Sequence, residues 1–164
     1  MPRPRVTLVS HEARLAELGI QLPGPFPPHD PLDAVVVHGG TARTSGSLPR
    51  TPDGVLAAEG ILGREIDTAP GADCARLAAL NAVSLLRAHL GALDAIERVL
   101  TMTVFVACTP EFKEQPAVAD GASRVLHEIF GDAGRHTRSA IGVAALPRGA
   151  PVEVEITAAL RTDQ

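Results

Sequence analysis

Aromatic residues are scarce in this chain of 164 residues, which has four Phe and neither Trp nor Tyr. Proteins often hold single-stranded nucleic acid by stacking its bases on such side chains. A formal net charge of −4 also provides no basic surface for nucleic acid or for anionic lipid. We therefore expect neither a nucleic-acid partner nor a membrane partner.

Cysteine is equally scarce, and long apolar runs are missing. Cys74 and Cys108 are the only cysteines and form no CxxC motif, which excludes a disulfide framework and favours the reducing cytoplasm. No stretch approaches the roughly 20 apolar residues of a membrane span, and the basic first residues lack the features of a signal peptide. The six histidines are dispersed without the spacing of metal ligands, so no metal site is expected.

Hydrophobic residues, in contrast, make up 45% of the chain, which is enough to build the core of a globular protein. We expect a single domain over residues 1–164. Within it, residues 1–31 are predicted to form an N-terminal helix, capped by Ser10 and ended by Gly19, followed by a proline-rich connector.

Strand and helix patterns alternate in the rest of the chain. Short strands are predicted in DAVVVHGG, TARTSGSLP and GVLAAEGIL, with a turn at TPDG between the last two. A helix containing LAALNA follows and ends at Gly91, and a second helix, QPAVADGASRVLHEIFG, has Pro116 in its first turn.

The strand IERVLTMTVFVACTP lies between the two helices. Leu100 is predicted to share a face with Met102, Val104 and Val106, and the apolar residues on both sides predict that both faces are covered. SAIGVAAL and PVEVEITAAL are the last two predicted strands. This order is typical of an α+β fold in which two helices pack on one face of a mixed sheet.

The last two strands contain the best candidate for a site. Arg138 shares its strand face with Ala140, Gly142 and Ala144, so its guanidinium borders a wall with little side-chain bulk and can bind a carboxylate through two hydrogen bonds. If the strands pair through the LPRGAP connection, Glu153 lies beside Arg138. The two residues then form either a binding site or an ordinary cross-strand ion pair, worth at most about 1 kcal/mol.

Four segments in this order, SGSLPRTPDG, LAALNA, TMTVFVACTPEF and RSAIGVAALPRGAPVEVEI, resemble the RidA/YjgF family of reactive-intermediate deaminases. The similarity covers residues 33–160 and is closest to the longer branch of the family, which has an N-terminal helix and a proline-rich connector. The resemblance implies a chorismate-mutase-like α+β fold, a homotrimer with a central β-barrel, and active-site clefts between subunits.

The resemblance also implies a reaction. Arg138 would bind the carboxylate of a 2-imino acid, the backbone carbonyl of Ala140 would position a water molecule, and Glu153 would orient or activate that water. The products are a 2-keto acid and ammonia, and no cofactor is needed. The expected substrate-binding residues are Arg138, Ser139, His136, Ser45 and Gly46.

Two positions depart from the family pattern. Ala140 stands where family deaminases often have Cys, and the pocket tyrosine of those enzymes has no counterpart in a chain without Tyr. These departures favour an alternative, a trimer that binds small carboxylates or other metabolites without turnover, as a sensor or chaperone. A third hypothesis, a ribonuclease or translation inhibitor, is opposed by the acidic charge and the scarcity of aromatic residues.

Overall fold

The computed structural model describes residues 10–162. The basic residues before Ser10, for which no signal peptide is expected, lie outside the described residues. The α-helices and strands within this range are α1 (His11–Glu17), β1 (Val35–His38), β2 (Thr41–Thr44), α2 (Thr68–Leu90), β3 (Ile96–Ala107), α3 (Gln115–Phe130), β4 (Thr137–Val143) and β5 (Val152–Leu160).

The strands form one mixed sheet in the order β1-β2-β5-β3-β4. β3 and β4 are parallel, with α3 as the crossover between them, and the other neighbouring strands are antiparallel. β4 therefore lies at an edge of the sheet, whereas β5 pairs with the other side of β3. The last two strands do not pair through LPRGAP, because β3 lies between them, so the condition for placing Glu153 beside Arg138 is not met.

α2 and α3 cover one face of the sheet, which confirms the α+β fold with two main helices. The buried face of α2 is rich in alanine, so this helix approaches its neighbours closely. At Gly121 of α3 an added Cβ would lie 1.9 Å from the carbonyl oxygen of Ala72 on α2, and only glycine permits this contact. α2 is 23 residues long, yet none of the helices within residues 10–162 is long and apolar enough to cross a membrane.

β3 departs from the predicted alternation near its middle. Met102 and the valines after it are fully buried as predicted, but Leu100 is 37% exposed and Val99 is buried instead. The register with β5 shifts between Val99 and Thr101. This bulge adds one residue to the open side of the strand, and a strict period of two does not predict it.

The opposite face of the sheet is left uncovered by the described part of the chain. Phe105 on β3 and Glu153 on β5 point to this side and are half-buried, and Ile141 on β4 is 42% exposed. Both faces of β3 were predicted to be covered. Within one chain, the helices cover one face, and the described residues leave the other face open.

The segment GVLAAEGIL does not form the predicted strand. It makes isolated bridges, from Leu56 to Arg50 and from Leu62 to Cys108. Gly60 and Gly63 adopt φ values of 123° and 84°, which bend the chain away from extended geometry.

α1 is attached to the core through Asp94, which lies just before β3. Ser10 caps the helix as predicted, accepting a hydrogen bond from the Ala13 N–H, and its own hydroxyl donates to Asp94 Oδ2 at 2.8 Å. The backbone N–H groups of His11 and Glu12 donate to Asp94 Oδ1 at 2.6 and 3.4 Å. Asp94 thus holds the first turn of α1 in a fixed position.

Candidate functional site

A cleft of about 510 Å³ lies beside β5, between the proline-rich connector and the loops that follow β2 and β4. The connector supplies residues 25–29 to one wall. The loop after β2 supplies Gly46 to Leu48 together with Arg50, and the loop before β5 supplies Pro147 and Arg148. Glu153 of β5 and Asn81 of α2 complete the lining.

Glu153 can occupy the cleft because Gly46 has no side chain. A Cβ built at Gly46 would lie 1.8 Å from Glu153 Oε1, so any other residue there would displace the carboxylate. Burial raises the pKa of Glu153 above its ordinary value, and the nearby charge of Glu155 raises it further. None of the described basic side chains forms an ion pair with Glu153.

The buried end of the cleft has two polar atoms without hydrogen-bond partners. They are the Ser47 hydroxyl oxygen and the Asn81 Oδ1 atom, on side chains that are 6% and 4% exposed. Asn81 is held in place by its amide, which donates to the carbonyl oxygens of Arg50 and Leu77 at 2.9 and 3.0 Å. Buried polar atoms are normally paired, so these two mark a place where polar ligand or solvent atoms are needed.

Two arginines give the mouth of the cleft a positive charge. Arg50 is half-buried and donates to the Gly54 carbonyl oxygen at 2.7 Å, whereas Arg148 is exposed. Arg148 is also the one described residue other than glycine with a positive φ, at 59°. Neither arginine was predicted as a site residue, although each follows the same dipeptide, as LPR at residues 48–50 and again at 146–148.

Arg138 lies elsewhere, on the helix side of β4. It is paired in register with the buried Met102, and its guanidinium reaches α3. Its Nη1 atom donates to Asp120 Oδ1 at 2.9 Å and to the Ser123 hydroxyl at 3.0 Å. Arg138 and Glu153 are therefore not neighbours within one chain. The two side chains lie on opposite faces of the sheet, and β3 separates their strands.

His136 lies beside Arg138. Its Nε2 atom is 3.0 Å from the Ser123 hydroxyl and its Nδ1 atom is 2.6 Å from the Gly134 carbonyl oxygen. Together with Arg138 and Ser123 it lines a separate hollow of about 550 Å³.

The other predicted site residues are divided between these places. Ala140 is on the helix side of β4, half-buried against the core, and Ser139 is exposed on the opposite side. The Ser45 hydroxyl donates to the Asp33 carbonyl oxygen at 2.6 Å and is absent from the cleft lining. The structure thus groups the predicted residues in two pairs, Glu153 with Gly46 in the cleft and Arg138 with His136 in the hollow.

The remaining reactive groups of the described chain do not form a second centre. Between residues 10 and 162, no three His, Cys, Asp or Glu side chains gather closely enough to hold a metal ion. Cys74 and Cys108 are free thiols, and burial raises the pKa of Cys74. A raised pKa disfavours the nucleophilic thiolate at Cys74.

Comparisons with known proteins identify the family. The family described as "YjgF/chorismate_mutase-like, putative endoribonuclease" matches residues 12–160. Protein TCP17 of Trypanosoma cruzi is 42% identical over 144 residues, which are 87% of this chain and 89% of TCP17.

Solved structures agree with this match. The crystal structure of Atu1372, a protein of unknown function from Agrobacterium tumefaciens, is 37% identical with a TM-score of 0.84, over 93% of this chain and 94% of that one. Escherichia coli TdcF, solved with bound serine, is 25% identical with a TM-score of 0.58, over 83% of this chain and 92% of that one. Since the matches span nearly all of the sequence and the sheet carries its two helices as the resemblance implied, the chain belongs to the YjgF/RidA family of chorismate-mutase-like proteins.

Proposed function

We propose that the protein hydrolyses reactive 2-imino acids, and the enamines in equilibrium with them, to 2-keto acids and ammonia. The observation that carries the proposal is the Glu153 carboxylate, which is half-buried in a cleft, has a raised pKa and has no ion-pair partner among the described residues. A carboxylate with a raised pKa is a stronger base than an ordinary one and is therefore better suited to accept a proton from water. The bound serine in TdcF supports the amino-acid class of ligand.

The reaction requires no cofactor, because an imine carbon is already electrophilic. Water adds to this carbon while Glu153 accepts one of its protons, and the electron pair of the C=N bond moves to nitrogen. The proton held by Glu153 is then transferred to the nitrogen of the tetrahedral intermediate. Glu153 then accepts the proton of the hydroxyl group that water left on the carbon and passes it to the same nitrogen. The C–N bond breaks, ammonia leaves and the C=O bond of the 2-keto acid forms. The protein would contribute positioning and charge complementarity.

In this proposal, Arg138 of one copy completes the Glu153 cleft of another copy. The two side chains lie on opposite faces of the sheet in one chain, so they can share a substrate only across an interface. The exposed side chains of Leu100 and Ile141 on the open face of the sheet support such an interface, and the resemblance implies a homotrimer. The substrate carboxylate would replace Asp120 as the partner of Arg138, next to His136, and the Ala140 carbonyl would position the water.

An assay of imine loss tests the reaction. An amino-acid oxidase generates 2-iminobutanoate or 2-iminopropanoate, and the disappearance of the imine is followed with and without the protein. We expect acceleration by the native protein and a large loss of it in Arg138→Ala. Full activity in Arg138→Ala, or no acceleration with any imino acid, contradicts the proposal.

Mixing two inactive variants tests the shared site. If Arg138 and Glu153 come from different copies, co-refolding Arg138→Ala with Glu153→Gln in equal amounts restores about a quarter of the native sites, since subunits assort at random. If both residues come from one chain, the mixture stays inactive.

Binding without turnover is the second candidate function, in the form of a small-carboxylate sensor or chaperone. The serine in TdcF favours it as well. Calorimetric binding of 2-keto acids that depends on Arg138, with no acceleration of imine loss, would establish this function instead. The two free cysteines are in keeping with the cytoplasm, where we place either function.

A further inference from the structure

The two arginines at the cleft mouth bear on the choice of substrate. On the basis of the proposed function, we propose that the cleft prefers imino acids with a second anionic group, such as those derived from aspartate and glutamate. Arg148 and Arg50 would hold the side-chain carboxylate of the substrate. Arg138 of another copy would bind the carboxylate that all 2-imino acids share.

The charge of the cleft supports this preference. Glu153 is the one acidic residue of the lining, whereas Arg50, Arg148 and His29 are basic. No carboxylate of the described residues lies within 4.0 Å of the Arg50 or Arg148 guanidinium. An imino acid with a neutral side chain has a single carboxylate, which Arg138 would bind, so both cleft arginines would remain without an anionic partner.

Arg50 is anchored in a way that suits a binding residue. Its Nη1 atom donates to the Gly54 carbonyl oxygen at 2.7 Å, and its own carbonyl oxygen accepts from the amide of Asn81 at 2.9 Å. These bonds hold the loop and the Nη1 atom of Arg50 in place. The other guanidinium nitrogens form no ion pair with a carboxylate of the described residues. Less side-chain entropy is therefore lost when an anion binds.

Arg148 is held in an unfavourable backbone conformation beside the cleft. A φ of 59° is strained for a residue with a Cβ, and such residues cluster at functional sites. Asn or Gly would fit this backbone position better. An arginine at this place is explained if its guanidinium is needed at the mouth of the cleft.

A comparison of substrates tests the inference. 2-Iminosuccinate and 2-iminobutanoate are generated in situ by amino-acid oxidases, and kcat/KM for imine loss is measured for each. We expect the dicarboxylate to be preferred by the native protein. In Arg148→Asn, which keeps a residue that tolerates positive φ, the preference should fall about tenfold, as expected for loss of a charge-assisted hydrogen bond.

Two variants serve as controls. Arg148→Lys restores a positive charge and should recover most of the preference, and Arg64→Asn removes an exposed arginine outside the cleft and should leave the preference unchanged. The native preference should also decrease as ionic strength rises, because Arg148 is exposed to solvent. A native protein that prefers 2-iminobutanoate, or an unchanged ratio in Arg148→Asn, overturns the inference.

A binding measurement separates this inference from the proposed function. Calorimetric titration compares 2-oxoglutarate with 2-oxobutanoate in the native protein and in Arg148→Asn. If no imine is hydrolysed but the dicarboxylate binds more tightly and loses this advantage in Arg148→Asn, the proposed function fails and the charge preference stands. Equal affinity for both keto acids contradicts the charge preference whatever the outcome of the activity assay.

Discussion

Asp94 and Glu153 are two partly buried carboxylates in opposite surroundings. Burial alone would raise the pKa of Asp94, but hydrogen bonds from Ser10 and from the N–H groups of His11 and Glu12 lower it below its ordinary value. Glu153 experiences the same effect of burial, has no such donors among the described residues, and has Glu155 nearby, so its pKa is raised.

In Asp94 the hydrogen bonds together outweigh the effect of burial on the pKa, whereas Glu153 has no such donors among the described residues and its pKa follows the effect of burial. Three donors commit Asp94 to holding α1 against the start of β3. Glu153 has free lone pairs facing a cleft, so it is available to water or to a ligand. We therefore expect substitutions of Asp94 to affect stability and substitutions of Glu153 to affect chemistry.

Glu153→Gln should produce the largest effect. The amide has nearly the same shape as the carboxylate but cannot accept a proton from water, so kcat for imine loss should fall by about 100-fold or more. Glu128→Gln is the matched control, because Glu128 lies on α3 outside the cleft lining and pairs with Arg76 at 2.9 Å. If Glu153→Gln keeps native activity, Glu153 has no role in proton transfer.

Asp94→Ala should have the second largest effect, on stability. It leaves the N–H groups of the first turn of α1 without an acceptor, which should lower the free energy of unfolding by about 2 kcal/mol. Urea denaturation measures this loss, and Asp94→Asn should lose less because it keeps one acceptor oxygen. A fall in kcat for Asp94→Ala at temperatures where the variant is fully folded would contradict the division of roles.

The smallest effect concerns the pH dependence of stability. Because the pKa of Glu153 is raised in the folded state, its ionisation disfavours folding at neutral pH. Glu153→Gln should therefore be more stable than the native protein at pH 7. This difference in stability should decrease as the pH falls through the raised pKa of Glu153, and it should be absent below the ordinary pKa of a carboxyl group. Thermal unfolding of both proteins over this pH range measures it. A native protein that is the more stable of the two at pH 7 would show that Glu153 is stabilised by a charge partner.

The helices were predictable because their signals are local. Ser10, Pro116 and Gly91 mark helix ends through caps and backbone geometry that depend on neighbouring residues alone, and the structure confirms all three. The bulge at Val99–Thr101 was not predictable from alternation, because it depends on pairing with β5. Gly46 and Glu153, which line one cleft in the structure, were predicted as site residues through family resemblance and not through spacing.

The cleft itself could not be predicted from signals in neighbouring residues. Ser47, Asn81 and Arg148 come from two loops and a helix that are far apart in the sequence, and no periodic pattern joins them. The repeated LPR tripeptide was the available signal for the two arginines.

The sequence by itself determined the fold class, the ends of the helices and the family, because periodicity, capping and motifs are written in consecutive residues. Only the tertiary structure decided that Arg138 and Glu153 lie on opposite faces of the sheet. The physical reason is strand order: the parallel crossover through α3 puts β4 on the outer side of β3, whereas β5 pairs with β3 on its inner side. Two residues that are 15 positions apart in the sequence are thereby separated by a strand and by the sheet itself.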